Sequence, residues 1–110
     1  MKSASQHWWL QRVSAVVLIP LIGWCSIAVF GQMSASYEEA RAWLGHPLNG
    51  GLMIVSLFAL YWHARFGLQV VAEDYVSSAV KRRWLLLGVN GILLVCIVTA
   101  VVAVCTIMGF

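Results

Sequence analysis

From residue 13 to residue 37 the chain carries no charged side chain, and from residue 85 to Phe110 it again carries none. A third apolar run, residues 48–72, is broken only by His63 and Arg65. Each run is at least as long as the ~20 apolar residues an α-helix needs to cross a hydrocarbon layer of about 30 Å. The pattern predicts an all-α membrane protein with three transmembrane helices, at about residues 13–36, 48–72 and 85–109, in a single membrane-anchor domain over residues 1–110. Pro20 falls inside the first run, where a membrane helix tolerates proline and a kink is expected.

The stretch between the first two runs, SASYEEARAWLGHP, has another character. Ser36 followed by Glu39 is a capping-box spacing, and Glu38 and Glu39 suit the positive end of a helix dipole. Gly45 and Pro47 then supply a stop signal. A short interfacial helix over about residues 37–44 is predicted, with Trp43 at headgroup depth.

Charge placement sets an orientation. Lys2 and Arg12 precede the first span, Lys81, Arg82 and Arg83 lie between the second and third, and only Arg41 lies between the first and second. Basic residues gather on the cytoplasmic side, so the N-terminus and the second loop are expected there, with the C-terminus outside. A cleaved signal peptide fits poorly, because the first apolar run exceeds the usual length of about 7–15 residues and no A-x-A site follows promptly. No Arg- and Ser-rich transit peptide precedes it, which favours a multi-pass protein of a bacterial cytoplasmic (inner) membrane.

Composition agrees. The chain is 62% hydrophobic and 10% charged with a mean hydropathy of +0.87, against about 25% charged residues in soluble domains. Seven Lys+Arg against four Asp+Glu is too small an excess, and too little interleaved with aromatics, to suggest nucleic acid. Cys25, Cys96 and Cys105 have neither CxxC nor zinc-knuckle spacing and read as small packing residues.

The chemistry concentrates in LYWHARFGLQVVAEDY, residues 60–75. At about 100° per residue, Ala59, His63 and Gly67 share one face, a histidine with a small residue one turn before and after it. His63 lies roughly 21 Å into the span from Asn49, within the hydrocarbon region, where an ionisable side chain is costly and needs a partner. Two readings fit the residues: an imidazole hydrogen-bonded to a neighbouring helix, or an axial ligand of haem iron beside a flat, shallow surface. His7 precedes the spans and His46 lies in the outer connection, so a second iron ligand would come from another chain. Arg65 is about 200° round the helix and faces elsewhere. Asp74 returns to the His63 face about three turns on, with Tyr75 beside it at the boundary. The pair is compatible with an ordinary helix end or with a quinone contact. A small multidrug exporter would need a fourth span and an intramembrane acid, which the first and third runs lack. A purely structural, non-haem membrane subunit remains compatible with the residues alone.

The pattern His63-Ala64-x-x-Gly67-x-Gln69-Val70-x-x-x-Asp74-Tyr75 resembles the second helix of the hydrophobic membrane-anchor subunits of succinate dehydrogenase (complex II). HWWLQRVSAVVL, residues 7–18, resembles the start of their first helix, and the likeness extends along essentially the whole chain. The resemblance implies that His63 is the axial ligand of haem b, with the second histidine from a companion membrane-anchor subunit. It implies that Tyr75 hydrogen-bonds a ubiquinone carbonyl with Asp74 near that pocket, and that Arg12 and His7 lie near the haem propionates. The succinate chemistry would belong to a flavoprotein and an iron–sulfur subunit, since neither a dinucleotide fingerprint nor an iron–sulfur cysteine run is present. The anchor of a fumarate reductase, or of another cytochrome b-type complex, is the nearest alternative.

Overall fold

In a computed structural model, residues 4–110 are described, apart from the side chains of Ala4 and His7. The expectations for Lys2 and for the His7 side chain lie outside the described residues. Four helices follow one another: α1 (Ala4–Gly31), α2 (Tyr37–Gly45), α3 (Pro47–Tyr75) and α4 (Ala79–Met108). Trp8–Gly31 within α1, and all of α3 and α4, are long and apolar enough to cross a membrane. With 29 residues in α3 and 30 in α4, each helix is about 45 Å long, enough to pass through the hydrocarbon core into both headgroup layers.

Helix ends follow local chemistry. α1 starts ahead of the uncharged run, because Trp8, Trp9 and Leu10 continue its apolar character toward the N-terminus, and it runs unbroken through Pro20. It stops at Gly31, and residues 32–36 turn, with the Gln32 N–H on the Ala28 carbonyl (3.2 Å) and the Ala35 N–H on the Gln32 carbonyl (3.1 Å). Ser36 caps α2 by accepting the Glu39 N–H at 3.1 Å. His46 terminates α2 and also caps α3: its Nδ1 accepts the Leu48 N–H at 3.2 Å, and Pro47 occupies the first turn. Proline suits that position because the N–H it lacks would have had no helical partner. Pro47 therefore starts α3 as much as it stops α2. Gly109, at φ 97°, ends α4 in the left-handed conformation, while the Phe110 N–H reaches the Cys105 carbonyl at 2.9 Å.

α3 is central, with α1 packed on one side and α4 on the other; among the described residues the backbones of α1 and α4 do not approach one another. The buried residues of α3 are Gly50, Ser56 and Ala72. All are small, which lets neighbouring backbones come close in lipid, where apolar side chains gain nothing by leaving one hydrocarbon phase for another. The Ser56 hydroxyl donates to the Leu52 carbonyl at 2.8 Å, and Thr99 and Thr106 donate likewise to the carbonyls four residues back. Hydroxyls in hydrocarbon are satisfied inside their own helix in this way. Large apolar side chains point outward instead, Ile27 at 77% and Phe30 at 72% exposure among them. Such a surface suits lipid and partner helices rather than water.

α2 lies against the start of α3 and the end of α4. Trp43 stacks on Trp24 of α1 (centroids 6.0 Å apart), and Asn49 donates to the Trp43 carbonyl at 3.0 Å. Consequently α2 and the C-terminus share one end of the bundle. The start of α1 and the connection carrying Lys81, Arg82 and Arg83 share the other.

Candidate functional site

His63 faces α1. Its Nδ1 lies 3.3 Å from the Ser14 hydroxyl, which in turn donates to the Gln11 carbonyl at 2.9 Å. Three features of α1 and α3 build this meeting. Gln11, Ser14, Leu18, Leu21 and Cys25 recur at spacings of three and four along α1, the spacing that forms a single face. Cys25 meets Met53 of α3 lower in the same seam, sulfur to sulfur at 3.8 Å. Gly67 faces Gln11 across the seam: a Cβ there would stand 3.9 Å from the Gln11 Nε2, an ordinary van der Waals contact.

Beside this seam an open groove of about 390 Å³ is lined by Leu10, Val13, Ser14 and Val17 of α1 and by Ala59, Trp62 and Phe66 of α3. Ser14 is the only hydroxyl in an otherwise apolar lining, and it is the residue that engages His63. Trp62 and Phe66 stack with centroids 5.8 Å apart, and Trp62 also carries the Arg65 guanidinium 5.4 Å from its ring centroid. That stack gives Arg65 a local partner, a cation over an indole face, which its helical phase alone did not suggest. The Gln11 Oε1 is buried without a hydrogen-bond partner among the described residues.

The residues fit one ligand of a planar macrocycle. No group of three or more His, Cys, Asp or Glu side chains is assembled to hold a bare metal ion among the described residues. A lone imidazole suffices only where the ring system supplies the equatorial ligands. His63 has its Nδ1 engaged and Nε2 left over, and Ala59 keeps the neighbouring wall low.

The other sequence candidates lie elsewhere. Asp74 and Tyr75 end α3, roughly 18 Å along the axis from His63 at 1.5 Å per residue; Tyr75 is 83% exposed. Tyr75 and His63 are therefore not brought together. Near them Gln69 donates to Glu73 at 3.2 Å. Arg12 is exposed, with its guanidinium 5.2 Å from the Trp8 ring centroid, and lies about 200° round α1 from Ser14. Ser14 and Gln11 were not picked out as site residues by sequence reasoning. Their signal was the three-and-four spacing along HWWLQRVSAVVL, which places them on one face but does not say what that face meets.

Residues 1–104 match the family described as the succinate dehydrogenase/fumarate reductase transmembrane subunit. The chain belongs to that family. A succinate dehydrogenase hydrophobic membrane anchor subunit from Rickettsia bellii is 31% identical over 103 residues, covering 94% of this chain and 82% of the relative. Its counterpart in Rickettsia conorii is 32% identical over 103 residues, covering 93% and 82%. A succinate dehydrogenase membrane anchor subunit from Reclinomonas americana is 36% identical over 86 residues, covering 74% and 70%. No solved structure matches the chain. For a transmembrane subunit of this family, three long apolar helices with little buried core are the architecture expected of an element completed by lipid and by other subunits.

Proposed function

We propose that this chain is the hydrophobic membrane-anchor subunit of a succinate:quinone oxidoreductase, embedded in a bacterial cytoplasmic membrane with its N-terminus on the cytoplasmic side. It holds the flavoprotein and iron–sulfur subunits to the bilayer, pairs with a second membrane-anchor subunit, and contributes half of a haem b site and part of a ubiquinone site. The family of fumarate reductase anchors is the same one; the names of the relatives above favour succinate dehydrogenase. The grouping of Arg82, Arg83 and Lys81 at the α1 start of the bundle supports the orientation, since basic loops stay cytoplasmic.

The observation that carries the haem part is the placement of His63, with one ring nitrogen held by Ser14 beside an apolar groove. His63 ligates iron through Nε2, while Trp62, Phe66, Val13 and Val17 exclude water from that side. A second histidine ligand would come from the companion anchor, because the spans of this chain hold no other. A bound haem supplies a one-electron carrier at this depth. Arg12 and His7 are the residues assigned to its carboxylates, where charge-assisted pairs are the stronger ones. At the end of α3 the Tyr75 hydroxyl donates to a quinone carbonyl oxygen, and Asp74 next to it relays one of the two protons taken up as two electrons from the iron–sulfur subunit reduce the quinone to the hydroquinone.

The test is the dithionite-reduced spectrum of the purified complex. His63→Ala is expected to lose or displace the b-type α band; an unchanged band refutes the ligand assignment. Tyr75→Phe is expected to lower quinone reduction about tenfold, the size of one hydrogen bond of ~1–1.5 kcal/mol, with succinate oxidation by a soluble dye retained. Equal loss of both activities means misassembly and rejects the contact.

A further inference from the structure

We infer that Ser14 is the positioning residue that fixes the tautomer of His63, an inference that rests on the haem reading above. The Ser14 Oγ is 2.9 Å from the Gln11 carbonyl oxygen and 3.3 Å from His63 Nδ1. A serine hydroxyl has one proton and two lone pairs, and a carbonyl only accepts. The shorter contact, to the carbonyl one turn back, is the usual local bond of a serine in a helix and takes the proton. Ser14 then offers His63 only lone pairs, so the imidazole must be the donor. A neutral imidazole with its hydrogen on Nδ1 has a bare lone pair on Nε2, which is the form that binds iron. The other tautomer would set a protonated Nε2 toward the metal.

This bond crosses between helices: Ser14 is on α1, and His63 on α3. A short –CH₂OH side chain spans the gap between them. It also explains how a histidine in hydrocarbon finds the partner that its cost demands, so both readings left open by the sequence apply together. One nitrogen hydrogen-bonds a neighbouring helix and the other is free for iron. Such outer bonds hold the ring's orientation and raise its basicity, and losing one typically weakens metal binding about 10–100-fold. A more basic axial ligand favours the oxidised iron, so Ser14 also holds the reduction potential down.

The experiment uses the assembled complex with Ser14→Ala, Ser14→Thr and Ser14→Cys, measuring the haem midpoint potential, the low-spin electron paramagnetic resonance g values, and the rate of haem capture by apomyoglobin. Ser14→Ala is expected to raise the potential, shift the g values and release haem about tenfold faster. Ser14→Thr, which keeps a hydroxyl, restores wild-type values. Ser14→Cys, nearly isosteric but a poorer acceptor, moves them part of the way and serves if the alanine variant does not assemble. Wild-type values in the alanine and cysteine variants overturn the inference, as does an equal change in the threonine variant, which would signal packing alone. His63→Ala separates the two levels. If it removes the b-type spectrum while Ser14→Ala and Ser14→Cys are silent, only the tautomer lock fails; if it leaves the spectrum intact, the haem reading itself fails.

Discussion

Gly50 and Gly51 are neighbours on α3 with opposite surroundings. A Cβ at Gly50 would lie 2.7 Å from the Leu44 carbonyl oxygen and 2.8 Å from Met108 Cγ, with Met108 Sδ closer still; at Gly51 it would meet nothing within 4 Å. Met108 is flexible and can yield, but the Leu44 oxygen is backbone of α2, so α2 must shift. Replacing either glycine by alanine gains the same helix propensity, about 1 kcal/mol. That gain cancels in the comparison, leaving the overlap at Gly50, ~1–3 kcal/mol for over-packing a tight site. Gly51→Ala is therefore expected to be neutral or stabilising, and Gly50→Ala to be less stable than it by that difference. SDS titration in mixed micelles gives the midpoints, and the exciton circular dichroism of the stacked Trp24–Trp43 pair reports whether α2 stays docked. Equal midpoints with an unchanged Trp signal would falsify the close approach of α2, α3 and α4.

Two further substitutions probe helix ends. His46→Ala removes the acceptor for the Leu48 N–H and should cost about 0.5–2 kcal/mol, the range for losing a side-chain cap, whereas His46→Asn should retain most of that stability in the same titration. Gly109→Ala forces a side chain into φ 97° and should cost about 1 kcal/mol, visible as faster amide exchange at Phe110 and its neighbours with the core amides unchanged.

The three spans were legible because uncharged runs of this length have few other stable outcomes, and α2 was legible because Ser36, Glu38, Glu39 and Gly45 are local signals. Helix ends were less so. The first span was placed from residue 13 because Arg12 ends the uncharged run, but charge does not break a helix, and Trp8 and Trp9 carry α1 back to Ala4. Pro47 read as a stop signal for α2 and proved equally a start signal for α3, since proline fits a first turn. At the site, the face holding Ala59, His63 and Gly67 followed from period alone. Its partner did not, because periodicity orders residues within one helix and is silent on which helix lies opposite. Arg65 is a similar case: phase turned it away from His63, and only the ring geometry put it over Trp62, on the groove's aromatic wall.

The α1–α3 seam has the features of half a site. A buried acceptor without a donor costs about 1–3 kcal/mol, and Gln11 Oε1 has no donor among the described residues, on the same α1 face as Ser14. On the haem reading proposed above, His63 would supply one ligand and leave the other to a second subunit. The groove beside them leaves Val13 at 49%, Val17 at 46% and Trp62 at 44% exposure, a wall of apolar side chains around one hydroxyl. Lipid could cover the wall, but on the haem reading proposed above hydrocarbon cannot supply the second nitrogen ligand. A helix from another subunit could supply it, and the same helix would shield His63 from water. The α4 side needs no such completion: the hollow between α3 and α4 is lined by Leu57, Leu60, Tyr61, Ala64, Leu93, Cys96, Ile97 and Ala100, apart from Tyr61 and Cys96 an aliphatic surface that lipid tails can cover. On that reading the asymmetry would set the companion anchor against the α1–α3 face and α4 toward the bilayer.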